Sequence, residues 1–243
     1  MPGDFSLLYV LEVVIILAVL FILSQLFKLF DVRGAIGAVV IGVIVSFMGN
    51  LNWLILLIVF ALVSHLATKF RFAEKMELKQ QEGKEGERKI SNVFYGGAIG
   101  VVVAFLNFFI PSTFPLFVLF AAAFAAITSD TFGSEIGVAD KKTYMITTFK
   151  RVETGVNGGI SILGEIAALV GSFLIAISYV ILTRTPNWVL PFSVIMGAGF
   201  LGCQVDSILG AILENSNKLS KGQVNLAASI VAVLFTIPFM LFL

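Results

Sequence analysis

The sequence predicts an all-α fold, a polytopic membrane protein with about eight transmembrane helices. Of its 243 residues 58% are hydrophobic and only 13% are charged, and the mean hydropathy is +1.02. Soluble domains are about 45–50% apolar and about 25% charged, so the composition excludes an ordinary soluble protein. Apolar runs of the length that a bilayer requires recur along the whole chain. The net charge of +1 provides no basic field that would favour a nucleic-acid partner.

Eight apolar segments, separated by polar or turn residues, are the predicted spans. They are 6–27, 33–49, 51–68, 93–110, 115–131, 157–182, 189–213 and 223–242. The first lacks a basic leader and a cleavage site of small residues, so we expect a retained span and not a signal peptide. The single cysteine, Cys203, excludes an intramolecular disulfide and a multi-cysteine metal site. We therefore expect one integral membrane domain over 1–243, with polar loops at 69–92 and 132–156.

Positive charge predicts the orientation of the spans, because basic residues in short loops stay in the cytoplasm. All of the 16 Lys and Arg residues except Arg184 fall in four loops. With eight spans the four loops lie on one side of the membrane, whereas a different number of spans would scatter them over both. The sequence therefore predicts that these loops are cytoplasmic and that the N and C termini are outside.

Two aspartates lie near the cytoplasmic ends of different predicted spans. Asp130 and Asp206 are about 15 and 17 residues from the outer ends of their spans, or about 22 and 25 Å at the helical rise. Acids at this depth usually face a protein interior, a cavity or a partner. A carboxylate pair suits Mg²⁺, which takes oxygen ligands and substrate phosphates. We predict Mg²⁺ on Asp130, Glu135 and Asp206, with added hydroxyl groups from Ser134 and Ser207.

A glycine-rich stretch, TTFKRVETGVNGGIS at 147–161, precedes the sixth predicted span. Lys150 and Arg151 come first, and Asn157, Gly158 and Gly159 follow just before the span. Glycines let the backbone approach a ligand closely, and a helix N-terminus offers free N–H groups to an anion. The stretch therefore predicts a phosphate cradle. A metal pair and a phosphate cradle on one membrane face indicate phosphoryl transfer, which depends mainly on positioning and charge neutralisation.

Each of these features has a simpler structural interpretation when it is taken alone. An acid at a helix end can face water, GVNGG can be a plain turn, and Lys150 and Arg151 can be topology signals. The functional prediction therefore depends on the convergence of the three stretches in space.

Three motifs resemble those of the membrane-integral phytyl phosphate kinase family. They are SDTFGSEIG (129–137), TFKRVETGVNGGIS (148–161) and GCQVDSILGA (202–211), and GKEGERKISNVFYGG (83–97) is similar to a further family pattern. The family includes a plant chloroplast enzyme that converts phytyl phosphate to phytyl diphosphate, a transmembrane protein of animals and many prokaryotic proteins. It is distantly similar to CTP-dependent dolichol and phytol kinases. The resemblance extends from about Lys69 to about Ala211.

The resemblance implies a membrane kinase that transfers a phosphoryl group from CTP to an isoprenyl monophosphate, with Mg²⁺ as cofactor. It implies an active site at the cytoplasmic face of a prokaryotic plasma membrane, with a nucleotide, an isoprenyl phosphate lipid and the bilayer as partners. The sequence leaves open whether the protein forms a homo-oligomer. The catalytic residues are expected to be Asp130, Asp206 and Lys150. The expected nucleotide- and phosphate-binding residues are Arg88, Asn92, Ser134, Lys150, Arg151, Asn157, Gly158, Gly159 and Ser207.

Two alternative functions stay open at the level of sequence. A cytidylyltransferase would form a CDP-lipid from the same substrates on the same metal site. A transporter belongs to a different class, and it would be favoured by charges and broken helices at the centre of the bilayer. The predicted acids cluster at one membrane face instead.

Overall fold

The computed structural model describes residues 5–77, 79–110 and 114–242. In this part of the chain eight helices form a bundle. Seven of them are long and apolar enough to cross a membrane, when the last two helices are counted together with the turns that end them. The second, of 17 residues, is shorter. The long helices are α1 Leu7–Leu26, α2 Val32–Met48, α3 Leu51–Lys69, α5 Ile90–Phe109, α6 Leu116–Gly137, α7 Ile162–Thr183, α8 Val189–Leu209 and α9 Lys221–Thr236, and α4 is the short helix Phe72–Glu77. The predicted all-α polytopic fold is confirmed.

Helix α6 lies at the centre of the bundle, with 83% of its apolar window buried inside the protein. Its alanine-rich first half lets neighbouring helices approach closely, since lipid offers little hydrophobic drive and packing depends on small residues. A Cβ built on Gly199 of α8 would lie 2.8 Å from the Cβ of Ala125, and one built on Gly171 of α7 would lie 2.7 Å from the carbonyl oxygen of Thr128. These contacts fix α7 and α8 against the helix that carries Asp130.

Side-chain caps define several helix starts, among them those of α2, α7 and α9. Asp31 caps α2 through a hydrogen bond from the Gly34 N–H (2.6 Å), and Ser161 caps α7. Ser220 and Gln223 form a capping box that starts α9 at Lys221. Helix α8 ends in a π-helical turn, Gly210–Glu214, and α9 ends in a 3₁₀ segment, Ile237–Phe242.

The structure differs from the predicted spans at two boundaries, both next to the acids. Helix α6 continues to Gly137, six residues past the predicted end at 131. In this added segment Phe132 is buried, and the carboxylate of Glu135 accepts from the Lys75 ammonium at 2.6 Å and from the Thr68 hydroxyl at 3.1 Å. Just before it, the buried Ser129 hydroxyl donates to the Ala168 carbonyl at 2.8 Å. Helix α7 starts at Ile162 and not at 157, because GVNGG forms a turn and a strand.

A small antiparallel sheet, absent from the prediction, lies between α6 and α7. Its strands are β1 Thr143–Met145, β2 Arg151–Val152 and β3 Gly159–Ile160, with β1 in the middle. Tyr144 pairs with Arg151 on one side and with Ile160 on the other.

The four basic loops meet at one end of the bundle. Arg88 pairs with Phe30 of the α1–α2 loop in an isolated bridge, and Gln80 donates to the Thr154 carbonyl of the α6–α7 segment. Asn215, after α8, donates to the Asn157 carbonyl at 2.9 Å. The predicted single-sided arrangement of these loops is thus present, while the predicted chain ends at 1–4 and 243 lie outside the described residues.

Candidate functional site

The two predicted aspartates meet at the end of the bundle where the four loops converge. Asp130 on α6 and Asp206 on α8 lie close enough in one cavity for their charges to interact, and Asp206 is only 8% exposed. Asn225 of α9, with its amide nitrogen turned towards the acceptors, donates to Asp206 Oδ2 at 2.9 Å and to the Lys221 carbonyl at 3.2 Å. Two carboxylates at this distance repel each other unless a proton or a cation lies between them.

Lys221, the first residue of α9, lies beside this acid pair. Its ammonium group interacts with Asp130, Asp206 and also Glu82 from the α4–α5 loop. The lysine is exposed to the cavity and not packed into the core. Lys221 and Arg88 are therefore the two cations that the described fold brings towards Asp130.

A polar cavity of about 320 Å³ opens beside the acids. This volume lies at the small end of the range for ligand pockets, about 300–1,000 Å³. Its polar side chains and glycines come from the α4–α5 loop, α6, the sheet, α7, α8 and α9. They include Gln80, Glu82, Asp130, Ser134, Glu135, Asn157, Gly158, Gly159, Glu165, Cys203, Asp206, Ser207, Glu214 and Lys221.

An apolar groove of about 160 Å³ meets the polar cavity. It passes between α1, α2, α3, α5 and α6 and is lined at depth by residues such as Leu17, Leu54 and Phe124. The groove and the polar cavity share five residues at their junction, namely Glu82, Asp130, Ser134, Glu135 and Lys221. The site therefore has a water-compatible half and a lipid-compatible half, with the acid Asp130 between them.

Arg88 lies at the mouth of the apolar groove with its hydrogen-bonding capacity largely unused. Its backbone is fixed, because its N–H donates to the Leu29 carbonyl (2.9 Å) and its carbonyl accepts from the Asp31 N–H (3.1 Å). The guanidinium makes only 3.4 Å contacts with the hydroxyls of Thr68 and Thr131, and its buried Nε has no partner. Within the described ranges no carboxylate forms a salt bridge with it. A half-buried guanidinium whose Nε has no partner is suited to binding an anion.

The turn that presents Arg88 is ordered by Glu87. Its carboxylate accepts the N–H groups of Lys84 (2.9 Å) and Glu85 (2.6 Å). Burial raises the pKa of Glu87, but these hydrogen bonds outweigh burial and the pKa is lowered. The contribution of this turn to stability is therefore present above the ordinary glutamate pKa of about 4.3 and is lost only as the pH falls through the lower folded value.

Glu135 does not join the acid pair in the way the sequence predicted. Its two oxygens are taken by the buried ammonium of Lys75 (2.6 Å) and by the hydroxyl of Thr68 (3.1 Å). Lys75, on α4, is 3% exposed and also donates to the Thr68 carbonyl at 2.6 Å. No group of three or more His, Cys, Asp or Glu side chains is arranged for metal binding in the described ranges. The structure thus presents two carboxylates for a cation, and it gives Glu135 to an ion pair.

The structure places the remaining predicted residues in three locations. Ser134, Asn157, Gly158, Gly159 and Ser207 line the polar cavity. Asn92 lines the groove, where its amide donates to Glu82 at 2.8 Å. Lys150 and Arg151 line neither space, because the β1–β2 hairpin carries them to the exposed surface. The predicted phosphate cradle therefore keeps its glycines but loses its two cations, and the glycines lie in a turn and strand and not at a helix N-terminus.

Sequence reasoning missed Lys221, Glu82 and Lys75 as site residues. At the level of sequence Lys75 and Lys221 count only as basic loop residues, and nothing is assigned to Glu82. The spacing Ser220-x-x-Gln223 was the available signal for Lys221, because a capping box puts the following lysine on the first turn of α9. Glu82 and Lys75 carry no such signal, since only the folded α4–α5 segment brings them inward.

The bundle and its site define an integral membrane protein with a polar cavity at one membrane face. The chain belongs to the family described as integral membrane protein DUF92, whose profile matches residues 15–233. The family resemblance inferred from the motifs is thereby confirmed.

Similar proteins come from archaea, cyanobacteria and plants. "Uncharacterized membrane protein MJ0933" of Methanocaldococcus jannaschii is 33% identical over 205 residues, covering 84% of this chain and 83% of that protein. "Protein VTE6, chloroplastic" of Arabidopsis thaliana is 34% identical over 148 residues, 56% of this chain and 44% of that protein. "Uncharacterized membrane protein sll0875" of Synechocystis is 29% identical over 77% of this chain and 73% of that protein. No solved structure matches the chain.

Proposed function

We propose that this protein is a membrane kinase that transfers a phosphoryl group from a nucleoside triphosphate, CTP by resemblance, to an isoprenyl monophosphate. The junction of the polar cavity and the apolar groove at Asp130 is the observation that carries the proposal. A reaction between a water-soluble polyphosphate and a long-chain lipid phosphate requires both environments within reach of one set of charges. The similarity to the plant chloroplast protein supports the same class of activity.

The acceptor phosphate is assigned to Arg88. An anion bound there would satisfy the guanidinium, and a hydrocarbon chain attached to that anion would enter the groove directly below. Arginine suits a phosphate because its planar fork can donate two parallel hydrogen bonds. Asn92, held by Glu82 at the same mouth, adds an amide to this side of the junction.

The donor triphosphate is assigned to the polar cavity, with Lys221 as its cation in place of Lys150. Lys221 lines both the cavity and the groove, so it faces the point where donor and acceptor meet. The Asn157–Gly158–Gly159 segment forms the opposite wall, where the missing glycine side chains leave the backbone accessible. This assignment leaves Glu165 and Cys203 at the floor as shape-defining residues.

Asp130 and Asp206 fit a Mg²⁺ ion. Their oxygens are hard ligands, their mutual repulsion requires a compensating charge, and Mg²⁺ is commonly held by one or two carboxylates together with substrate phosphates. When bound, the ion would neutralise charge that develops on the donor phosphates. Asn225 would orient Asp206 from behind through its amide hydrogen bond.

The chemistry requires no strong general base. The second pKa of a phosphate monoester is about 6, so the attacking oxygen is largely ionised at neutral pH. That oxygen bonds to the terminal phosphorus of the donor as the bond from that phosphorus to its bridging oxygen breaks. The products are a lipid diphosphate and a nucleoside diphosphate. Arg88 and Lys221 hold the two reactants in line and offset the charge of the transferred group.

Incubation of purified protein in nanodiscs with Mg²⁺, isoprenyl monophosphates and CTP labelled at either the α or the γ phosphorus tests the proposal. Transfer of the γ label to a lipid diphosphate supports the kinase. Transfer of the α label to lipid, with release of pyrophosphate, would replace it by the cytidylyltransferase. If no labelled lipid formed with any acceptor and either label, both enzymatic functions would be refuted and the transporter would be the remaining alternative.

A further inference from the structure

The β1–β2 hairpin carries a combination of side chains that the proposed site leaves unused. Phe149, at its turn, is 75% exposed and has a positive φ of 53°. The same segment carries four exposed cations: Lys150 and Arg151 directly follow Phe149, and Lys141 and Lys142 lie at the other end of the hairpin, before β1. An exposed aromatic residue in a backbone conformation that side chains disfavour is unusual in a water-facing turn.

The cations have no acidic partner to neutralise them. None of the four forms a salt bridge with a side chain in the described residues. The two acids of the segment, Asp140 and Glu153, offset only two of the four positive charges, and Asp140 is engaged by the backbone N–H groups of Lys142 and Leu163. The hairpin therefore presents a net positive surface around an apolar tip.

The sheet lies across the helix ends and does not project away from them. One end of β3 abuts α8, since a Cβ on Gly158 would lie 2.5 Å from the Cβ of Ala211. The other end leads directly into Ser161, the cap of α7. The turn of the hairpin is tied to this level, because the Ile146 N–H donates to the Gly158 carbonyl at 2.9 Å.

The edge of the bundle below the sheet is apolar and exposed. Ile162, on the first turn of α7, is 79% exposed, and Ile212, in the turn that ends α8, is 54% exposed. If these side chains face lipid, the hairpin lies at the depth where hydrocarbon gives way to head groups. At that depth aromatic rings are favoured, and basic residues are attracted to anionic lipids.

We propose that the β1–β2 hairpin docks onto the bilayer, with Phe149 inserted among the lipid head groups and the four cations bound to anionic lipid phosphates. The hairpin continues through Val152 and Thr154 into the glycine segment that lines the polar cavity. Docking would thus hold one wall of the cavity at a fixed height above the membrane. This role is separate from the kinase assignment and explains where Lys150 and Arg151 act.

The experiment places an environment-sensitive fluorophore on a cysteine at the tip, Phe149→Cys, and compares it with Ser216→Cys on the exposed α8–α9 loop. The wild-type chain, whose one cysteine is buried, serves as the labelling blank. Both proteins are placed in nanodiscs of phosphatidylcholine alone or of an equal mixture with phosphatidylglycerol. Quenching by aqueous iodide and by lipids with a nitroxide near the head group is then measured.

Docking predicts that the label at 149 is protected from iodide and quenched by the nitroxide lipid, several-fold relative to 216, and more strongly with phosphatidylglycerol. A variant with Gln at positions 141, 142, 150 and 151 should lose the dependence on phosphatidylglycerol, and high salt should weaken it in the parent, because salt screens charges beyond about 10 Å at 0.1 M. Equal iodide quenching at 149 and 216 in both lipid mixtures would overturn the proposal. Because the fluorescence measurement requires no enzymatic turnover, its result is independent of the outcome of the kinase assay.

Discussion

Asp206 is the residue whose charge the proposed chemistry most requires. Asp206→Asn preserves size, and the remaining amide oxygen can still accept the Asn225 hydrogen bond. We expect turnover to fall sharply, with partial rescue at high Mg²⁺, because one of the two proposed Mg²⁺ ligands has lost its charge. Activity titrated against Mg²⁺ is the measurement, and Glu153→Gln on the exposed hairpin is the matched acid control. A wild-type Mg²⁺ curve at wild-type activity would rule out Asp206 as a ligand.

Lys221 should matter where Lys150 does not. Lys221→Met removes the cation at the junction, and we expect a loss on the order of 10²–10³ in rate, as for removal of one charge-stabilising donor. Its Mg²⁺ dependence should stay normal. Lys218→Met, on the exposed loop just before α9, is the matched control and should retain full activity. If Lys218→Met and Lys221→Met were equally active, the donor assignment would fail.

Glu135 and Lys75 should behave as a structural pair and not as parts of the metal site. Lys75→Met leaves a buried carboxylate without its partner, which destabilises a protein by about 3–5 kcal/mol. The double variant Lys75→Met/Glu135→Gln should regain much of that stability, because no uncompensated charge remains. Thermal unfolding of the single and double variants in nanodiscs gives the answer. Loss of Mg²⁺ dependence in Glu135→Gln would restore its predicted role as a ligand.

At the scale of elements, the site depends on how closely the glycine segment packs on α8. Gly158 has φ +77°, and a Cβ there would lie 2.5 Å from Ala211 Cβ and 2.6 Å from the Ser207 carbonyl oxygen. Gly158→Ala should therefore push the segment away from the cavity and reduce activity. The strained backbone should also destabilise the fold by about 1–3 kcal/mol. Gly197→Ala is the control, because the nearest atom to its Cβ would be 4.0 Å away. Activity and unfolding temperature of both variants are compared, and equal activity would contradict the packing argument.

Helix content was predictable because apolar length alone specifies a span, whereas the ends next to the site were not. The residues FGSE at 132–135 were predicted to begin a loop, yet they are helical, with Phe132 buried and Glu135 bonded to Thr68 and Lys75. The glycines at 155–159 resemble a helix start, yet a positive φ at Gly155 and Gly158 is incompatible with one. Local pattern cannot report that a polar side chain will face a protein cavity. For the same reason Asp130 and Asp206 could be paired from their depth, while the partner of Glu135 could not.

At the scale of the whole molecule, the grouping of the four basic loops at one end of the bundle predicts that this end faces the cytoplasm. We expect cysteines introduced at Arg71, Lys84, Lys141, Lys150 and Lys218 to be inaccessible to a membrane-impermeant reagent added outside the cell, in a Cys203→Ala background. Arg184→Cys, on the opposite loop, should react and serves as the positive control. Reaction at position 84 or 150 would invert the orientation and place the site outside.

The burial of α6 also bears on how the protein is made. This helix carries Asp130 and buried hydroxyls, and most of its surface is covered by other helices, three of which, α7, α8 and α9, follow it along the chain. When α6 first enters the membrane, those partners have not yet been synthesised. We therefore expect the polar end of α6 to stay at the membrane boundary until α8 supplies Asp206 and α9 supplies Lys221. The last helix to be made is thus also the one that completes the site.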